Sequence, residues 1–137
     1  MILLDTNVIS ELMKKPADAG VAAWYLKNAS QTSLPSPALG EIAFGIARLP
    51  QGARRRELEA RLAEWRVRYA DRMVAFTETS AMFYGQVMAD ALAASHNMSA
   101  IDGQIAAIAI EKDATVATRN MRDFRFTAAA VINPWDA

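Results

Sequence analysis

Residues 1–5 read Met1-Ile2-Leu3-Leu4-Asp5, a run of aliphatic side chains closed by a carboxylate. A short, continuously apolar run of this kind is typical of a strand buried on both faces of a parallel sheet. Further short runs lie at 32–34, 73–76, 115–117 and 131–132, and stretches with the helical spacing of apolar residues separate them. The alternation predicts an α/β fold, a three-layer sandwich with a short central parallel sheet flanked by helices.

The composition limits the classes of protein to which the chain can belong. Its 137 residues suffice for one domain, residues 1–137, with a substantial core. Lys plus Arg and Asp plus Glu both number 15, so the net charge gives no argument for or against nucleic acid. No apolar run of about 18 residues and no signal-peptide pattern occur. The absence of Cys excludes disulfides and cysteine nucleophiles. We therefore expect a cytoplasmic protein without membrane association.

Four carboxylates fall where a parallel sheet would bring them to one edge. Asp5 closes the first strand, Asp123 follows the strand at 115–117, and Glu41 and Asp102 lie early in helical stretches. Sites in such folds lie beyond the carboxyl ends of the strands. Two carboxylates about 4 Å apart repel by roughly 4 kcal/mol at an effective dielectric constant near 20, so a cluster needs a cation or raised pKa values. Oxygen ligands without Cys or clustered His favour Mg²⁺ or Mn²⁺ over zinc.

Each of these acids also has an ordinary structural interpretation. Asp5 could be the N-cap of the following helix, and Asp102 and Asp123 each have capping-box spacing from a preceding Ser or Asn. Glu41 lies off the apolar stripe of its helix, where a solvated Glu is expected. Their joint placement nevertheless favours a metal site, since the apolar surroundings of Asp102 predict a half-buried acid that needs a partner.

Arginines flank the last of the four carboxylates. Arg119, Arg122 and Arg125 surround Asp123, and residues 48–72 hold eight Arg against four acids. The longer run could be a solvated helix face with ion pairs. The three Arg beside a carboxylate could steer a polyanion towards the acids.

Five stretches of the sequence carry a family resemblance. They are Leu-Asp-Thr-Asn-Val-Ile-Ser-Glu-Leu at 4–12, Gly-Glu-Ile-Ala-Phe-Gly-Ile at 40–46, Ile-Asp-Gly-Gln-Ile-Ala-Ala-Ile-Ala at 101–109, Ala-Thr-Arg-Asn-Met-Arg-Asp-Phe at 117–124 and Val-Ile-Asn-Pro-Trp at 131–135. In this order they resemble the motifs of PIN-domain ribonucleases, and more narrowly of VapC-type toxins of bacterial toxin–antitoxin pairs. There are two departures: residues 36–39 lack the Thr that is frequent there, and Gly103 stands where Ala is usual.

The resemblance implies a site, a reaction and partners. The implied catalytic and metal-binding acids are Asp5, Glu41, Asp102 and Asp123, supported by Thr6, Thr118 and Asn120, with Arg119, Arg122 and Arg125 as candidate RNA contacts. The implied reaction is endonucleolytic cleavage of single-stranded or loop RNA with Mg²⁺ or Mn²⁺, leaving a 3′-hydroxyl and a 5′-phosphate. The implied partners are a second copy of the chain, in a homodimer, and a cognate antitoxin protein laid over the helices near the site.

Two other functions remain open from the sequence. A phosphohydrolase with Asp5 as nucleophile commonly carries a second Asp two residues later, where this chain has Asn7. A catalytically inert PIN-like module that binds RNA or a protein partner would not need all four acids. The only histidine, His96, follows a helix, and a helix-terminal role is expected for it rather than catalysis.

Overall fold

A computed structural model describes all 137 residues and contains five strands and seven helices. The strands are β1 (Ile2–Leu4), β2 (Thr32–Pro35), β3 (Met73–Val74), β4 (Thr115–Ala117) and β5 (Ala130–Ile132). The helices are α1 (Thr6–Leu12), α2 (Ala19–Asn28), α3 (Ser36–Ala47), α4 (Ala53–Arg68), α5 (Glu78–Ala93), α6 (Ala100–Lys112) and α7 (Met121–Phe124), and a 3₁₀ turn covers Ala29–Gln31. Every strand pair is parallel, which confirms the predicted α/β fold.

The order of the strands, β3-β2-β1-β4-β5, puts the first strand at the centre of the sheet. The chain moves outward from β1 to β3 on one side and from β4 to β5 on the other. Right-handed crossovers in opposite directions carry their helices to opposite faces, so a topological switch point lies between β1 and β4. Both strands end at this point, with Leu4 paired to Ala117 and the amide of Asp5 donating to the Ala117 carbonyl at 3.0 Å.

The apolar opening of the chain forms the middle of the core. Leu3 and Leu4 are fully buried, as continuous apolar character on a central strand requires. On the outer side of β2, Trp65 of α4 stacks on Tyr69, and both are buried. Helical spacing predicts an apolar stripe on α4 through Leu58, Leu62, Trp65 and Tyr69, of which Tyr69 is the C-cap of the helix. No helix of the structure combines the length and apolar character needed to cross a bilayer.

The predicted elements differ from the observed ones mainly at their ends. The run 73–76 predicts a longer strand, but β3 stops at Val74 because the amide of Phe76 donates to the Ser36 hydroxyl at 3.1 Å instead of to a strand. The short helix α7 is expected only from the capping-box spacing of Asn120 and Asp123; Asn120 is its N-cap, but its side chain forms no capping hydrogen bond. Helical periodicity also predicts Ala81 and Leu92 on the packed side of α5, which is wrong. Both are exposed, because α5 packs through Ser80, Tyr84, Val87, Met88 and Ala91.

Candidate active site

Asp5 is held at the switch point by contacts to both neighbouring segments. Its Oδ1 accepts a hydrogen bond from the amide of Thr6 at 2.8 Å, so the residue does cap α1. Its Oδ2 accepts from the Thr118 hydroxyl at 2.7 Å and from the Asn7 side chain at 3.3 Å. Only 2% of the residue is exposed. The Asp5 carboxylate can therefore cap α1 and belong to the candidate site at the same time.

The loop after β4 is bound to the first turn of α1 through Thr118 and Asn7. The buried Thr118 hydroxyl accepts from the amide of Asn120 at 2.9 Å, and the Asn7 side-chain oxygen accepts from the amide of Arg119 at 3.1 Å. The side-chain amide of Asn120 makes no hydrogen bond within the protein. Asn120 thus contacts the Asp5 network through its backbone, while its side chain is free to bind another group.

Asp102 faces the same point from the start of α6. Its amide donates to the hydroxyl of the N-cap Ser99 at 3.1 Å, and its side chain is half-buried, as the sequence predicts. Burial raises the pKa of Asp102 from 3.8 to about 6, and the negative charges of Asp5, Asp123 and Glu41 add to the shift. Burial likewise raises the pKa of Asp5, with Glu41 and Asp123 contributing, although hydrogen bonds from Thr118 and Thr6 oppose it.

Three of the four predicted acids line one pocket, which we call the acid pocket. Asp5, Glu41 and Asp102 enclose about 480 Å³ together with Thr6, Asn7, Ser10, Glu11, Lys14, Ser99, Arg119, Asn120 and Trp135. Glu41 is exposed on α3, as its position off the apolar stripe predicts. The Thr6 hydroxyl is buried and has no hydrogen-bond partner in the protein. It is therefore an oxygen donor available to a bound group.

Asp123 lies outside the acid pocket, beside it. One of its oxygens is 3.4 Å from Nε2 of His96, without the geometry of a hydrogen bond. Asp123 lines a neighbouring depression, and it still acts on Asp5 and Asp102 through its charge. The contact with His96 was not predicted, because the two residues lie on separate elements and only the fold brings them together.

Sequence reasoning also missed six residues of the acid pocket, namely Asn7, Ser10, Glu11, Lys14, Ser99 and Trp135. Glu11 on α1 and Lys14, two residues past its end, form a salt bridge of 3.1 Å at the rim, and their spacing of three residues could have suggested it. The guanidinium of Arg119 lies over the ring of Trp135, 4.9 Å from its centroid. No local signal in the sequence relates those last two positions.

The carboxylates are chemically suitable ligands for a hard divalent cation, but they do not form a complete coordination site. No group of three or more acids or histidines stands close enough to hold one ion. The donors in the acid pocket are nevertheless oxygens, and two of its carboxylates have raised pKa values that a cation would lower. The unpartnered Thr6 hydroxyl adds a further oxygen. The residues thus suit Mg²⁺ or Mn²⁺ better than zinc.

The chain is similar to known proteins over nearly its whole length. The model of the PIN domain family matches residues 2–130. VapC ribonuclease Y4jK of Sinorhizobium fredii is 37% identical over 138 residues, covering 99% of each chain. Toxin FitB of Neisseria gonorrhoeae is 36% identical over 137 residues, covering 98% of this chain and 99% of the relative. The crystal structure of FitAcB from Neisseria gonorrhoeae gives a TM-score of 0.89 at 36% identity, covering 100% of both chains.

Proposed function

The chain belongs to the PIN-domain family, and we propose that it is a metal-dependent endoribonuclease that acts as the toxin of a toxin–antitoxin pair. The observation that carries the proposal is the convergence of Asp5, Glu41 and Asp102 on one pocket at the switch point of the sheet. Relatives named VapC ribonuclease and Toxin FitB, each similar over nearly the whole chain, support both parts of it. Residues 1–137 would act as one domain, in the cytoplasm.

Asp5 and Asp102 are the residues we assign to the metal, with Glu41 and Asp123 completing the acidic surroundings. A bound Mg²⁺ or Mn²⁺ would neutralise phosphate oxygens and lower the pKa of the attacking water. Thr118 and Asn7 orient the Asp5 carboxylate by hydrogen bonds. Partners of this kind fix the direction of a ligand's lone pairs, and their loss typically weakens a metal site.

Three arginines are candidate contacts for the RNA backbone. None of Arg119, Arg122 and Arg125 forms a salt bridge with a carboxylate. Arg119 lines the acid pocket, whereas Arg125 packs over the ring of Phe126 at 5.0 Å. Guanidinium groups that are not paired with a carboxylate can neutralise phosphates. These arginines could therefore bind RNA although the net charge of the chain is zero.

The decisive test measures cleavage of single-stranded RNA by the wild type with Mg²⁺ or Mn²⁺, by the wild type with EDTA, and by Asp5→Asn. An asparagine can still cap α1 and accept from Thr118, so the fold is retained. Asp18→Asn is the matched control, since Asp18 caps α2 by accepting from Val21 at 3.0 Å. We expect EDTA and Asp5→Asn to lower the rate at least about 100-fold, whereas Asp18→Asn does not. Equal rates in all four reactions would contradict the proposal.

The inert module remains the alternative, and no feature of the site favours it. Two carboxylates with raised pKa values are costly to keep in a surface that only binds a partner. RNA binding without cleavage, whichever divalent ion is added, would support the module. Recovery of a phosphorylated Asp5 would instead support the phosphohydrolase.

A groove beside the acid pocket suits the antitoxin. The groove has a volume of about 670 Å³ and combines four apolar residues, Met13, Ile42, Ile46 and Leu58, with six charged ones, Lys14, Lys15, Glu41, Arg54, Glu57 and Arg61. It shares Glu41 with the acid pocket, so a segment lying in it could reach the acids with a basic side chain. Gly45 lines the groove, and a Cβ at this position would have no atom within 4 Å, so Gly45→Leu is expected to extend its side chain into the groove. That variant should escape inhibition by the antitoxin, with Ala60→Leu on the exposed side of α4 as its control.

The homodimer is assigned to the exposed side of α5. Six apolar or small residues are exposed on this side, next to the exposed Glu78 and Gln86: Ala81, Met82, Gly85, Ala89, Leu92 and Ala93. Met82 and Leu92 are 77% and 80% exposed. An apolar patch of this extent on a surface helix is typical of an interface.

A further inference from the structure

A second polar pocket adjoins the acid pocket on the side of β5. It encloses about 740 Å³, within the range of small-molecule sites, and we call it the asparagine pocket after Asn97, Asn120 and Asn133, which line it. Arg119 and Asn120 line both pockets, so they form the wall between them. The two pockets are therefore direct neighbours. If the reacting group of a polymer lies among the acids, the adjacent unit of the polymer can lie in the asparagine pocket.

The charges of the asparagine pocket favour an anion. Arg119 and Arg122 both line it, and neither lies within 4.0 Å of a carboxylate oxygen. The only acid in the pocket, Asp123, already faces His96 at 3.4 Å. Arg119 is also fixed in place, because its side chain lies over Trp135 and its backbone amide donates to Asn7. Two guanidinium groups are thus available for a phosphate.

The side-chain amides of the pocket differ in whether they already form hydrogen bonds within the protein. Asn133 accepts from the amide of Trp135 at 3.0 Å and donates to Asp136 at 3.1 Å. Asn97 and Asn120 make no side-chain hydrogen bond within the protein, and both are exposed in the pocket. A free carboxamide offers two donors and an acceptor together, which matches the edge of an unpaired base.

We propose that the asparagine pocket binds the nucleotide next to the scissile phosphate, with Arg119 and Arg122 on its phosphate and Asn97 on the edge of its base. Asn97 would then be a specificity-determining residue. The inference rests on the proposed ribonuclease function and deepens it. An acidic segment of a protein partner is the competing occupant. The single apolar residue in the lining, Met121, and the free amides favour a base over a peptide.

The test maps cleavage ends in a pool of random-sequence single-stranded RNA and measures RNA affinity over a range of salt concentrations. Asn97→Ala should reduce base preference at one position flanking the cut about fivefold, the value of one hydrogen bond. Arg122→Ala should lower the slope of log affinity against log salt by about 0.7, since one phosphate contact to a single strand is lost. The controls are Gln51→Ala and Lys27→Ala, which remove an exposed amide and an exposed cation elsewhere on the surface.

The possible outcomes distinguish a failure of the proposed ribonuclease function from a failure of the inference about the asparagine pocket. If the wild type does not cleave with Mg²⁺ or Mn²⁺, the proposed function fails and the inference falls with it. If the wild type cleaves, but Asn97→Ala keeps the base distribution and Arg122→Ala keeps the salt slope, only the inference is overturned. A wild type without base preference beside the cut also overturns it. The inference is wrong as well if the two variants change only the inhibition by the antitoxin.

Discussion

Asp5 depends on Thr118 more than on any other side chain for its orientation. The hydroxyl of Thr118 donates to Asp5 at 2.7 Å and accepts from the amide of Asn120 at 2.9 Å, so one buried oxygen joins the end of β1 to the loop after β4. A hydrogen bond to a charged group contributes about 1.5–3 kcal/mol. Without it, the carboxylate would be held only by Thr6 and the weaker contact with Asn7.

Thr118→Val is expected to keep the shape of the side chain and to lose the hydroxyl's hydrogen bonds with Asp5, Asn120 and Asn7. We expect roughly a 10- to 100-fold loss of activity or metal affinity, as for other groups that orient a ligand. RNA cleavage and the shift of Tm on adding Mn²⁺ measure the two effects. Thr115→Val on β4, three residues before Thr118, is the control, because the Thr115 hydroxyl makes no hydrogen bond. Equal losses in both variants would refute a role for the Thr118 hydroxyl.

Asp102 should make the metal-free protein less stable as the pH rises. Its pKa is raised from 3.8 to about 6, so the folded state holds the proton more tightly than the unfolded chain. The stabilisation is complete below about pH 4 and is lost as the pH rises towards 6. At pH 7 in EDTA, Asp102→Asn should therefore be more stable than the wild type, by on the order of 1–2 kcal/mol after discounting for partial exposure.

Urea unfolding at pH 4 and pH 7 measures this difference, which should shrink at the lower pH. Asp71→Asn is the control, because Asp71 is exposed and forms no salt bridge. A wild type more stable than Asp102→Asn at pH 7 in EDTA would show that the charged form of Asp102 is not penalised by its surroundings.

The sequence predicts individual site residues as far as their local neighbours determine them. The half-burial of Asp102 follows from the apolar spacing of α6, and the capping of α1 by Asp5 follows from its position. The relation of Asp123 to the other acids does not follow. Its side chain is set by His96 and by the loop after β4, which meet only when the sheet has formed.

At the scale of the elements, Gly103 of α6 lies directly against side chains of α5. A Cβ at this position would lie 2.5 Å from Sδ of Met88 and 3.0 Å from the ring of Tyr84. By helix propensity alone, Gly103 costs about 1 kcal/mol of stability relative to Ala. In the structure its missing side chain leaves room for Met88 and Tyr84, one position after the acid Asp102.

Gly103→Ala should thus destabilise the protein although alanine is the better helix former. The crowding costs about 1–3 kcal/mol and exceeds the gain in propensity, so we expect a net loss of about 1 kcal/mol in urea unfolding. The loss should be smaller in a Met88→Ala background, where the nearest atom has been removed. A gain in stability, or an equal loss in both backgrounds, would mean that Gly103 is not needed for close approach.

Helix faces and strand ends were predicted less well than the elements themselves. Periodicity gives the stripe of α4 through Trp65 and Tyr69, because arginines and acids mark its other side. On α5 the exposed side is also apolar, so the pattern of polar and apolar residues does not distinguish the two sides. The end of β3 depends on a hydrogen bond to Ser36, on another element, which no local pattern contains.

At the scale of the whole molecule, the unpartnered side of α5 is the feature that a single chain leaves unexplained. Sequence patterns predict a parallel sheet, but the order β3-β2-β1-β4-β5 and the site between β1 and β4 follow only from the folded chain. The same holds for the surface: Leu92 becomes recognisable as an interface residue once the packed side of α5 is known.

Leu92→Glu should convert the proposed dimer into a monomer. A carboxylate placed in an apolar interface would lose its hydration without gaining a partner, and burying an unpaired charge costs several kcal/mol. Sedimentation equilibrium measures the mass. Leu26→Glu on α2 is the matched control, because Leu26 is 79% exposed against 80% for Leu92. A wild type that is monomeric at high micromolar concentration, or a Leu92→Glu variant that still dimerises, would contradict the assignment. Because the acid pocket is built entirely within one chain, the monomeric variant should still cleave RNA.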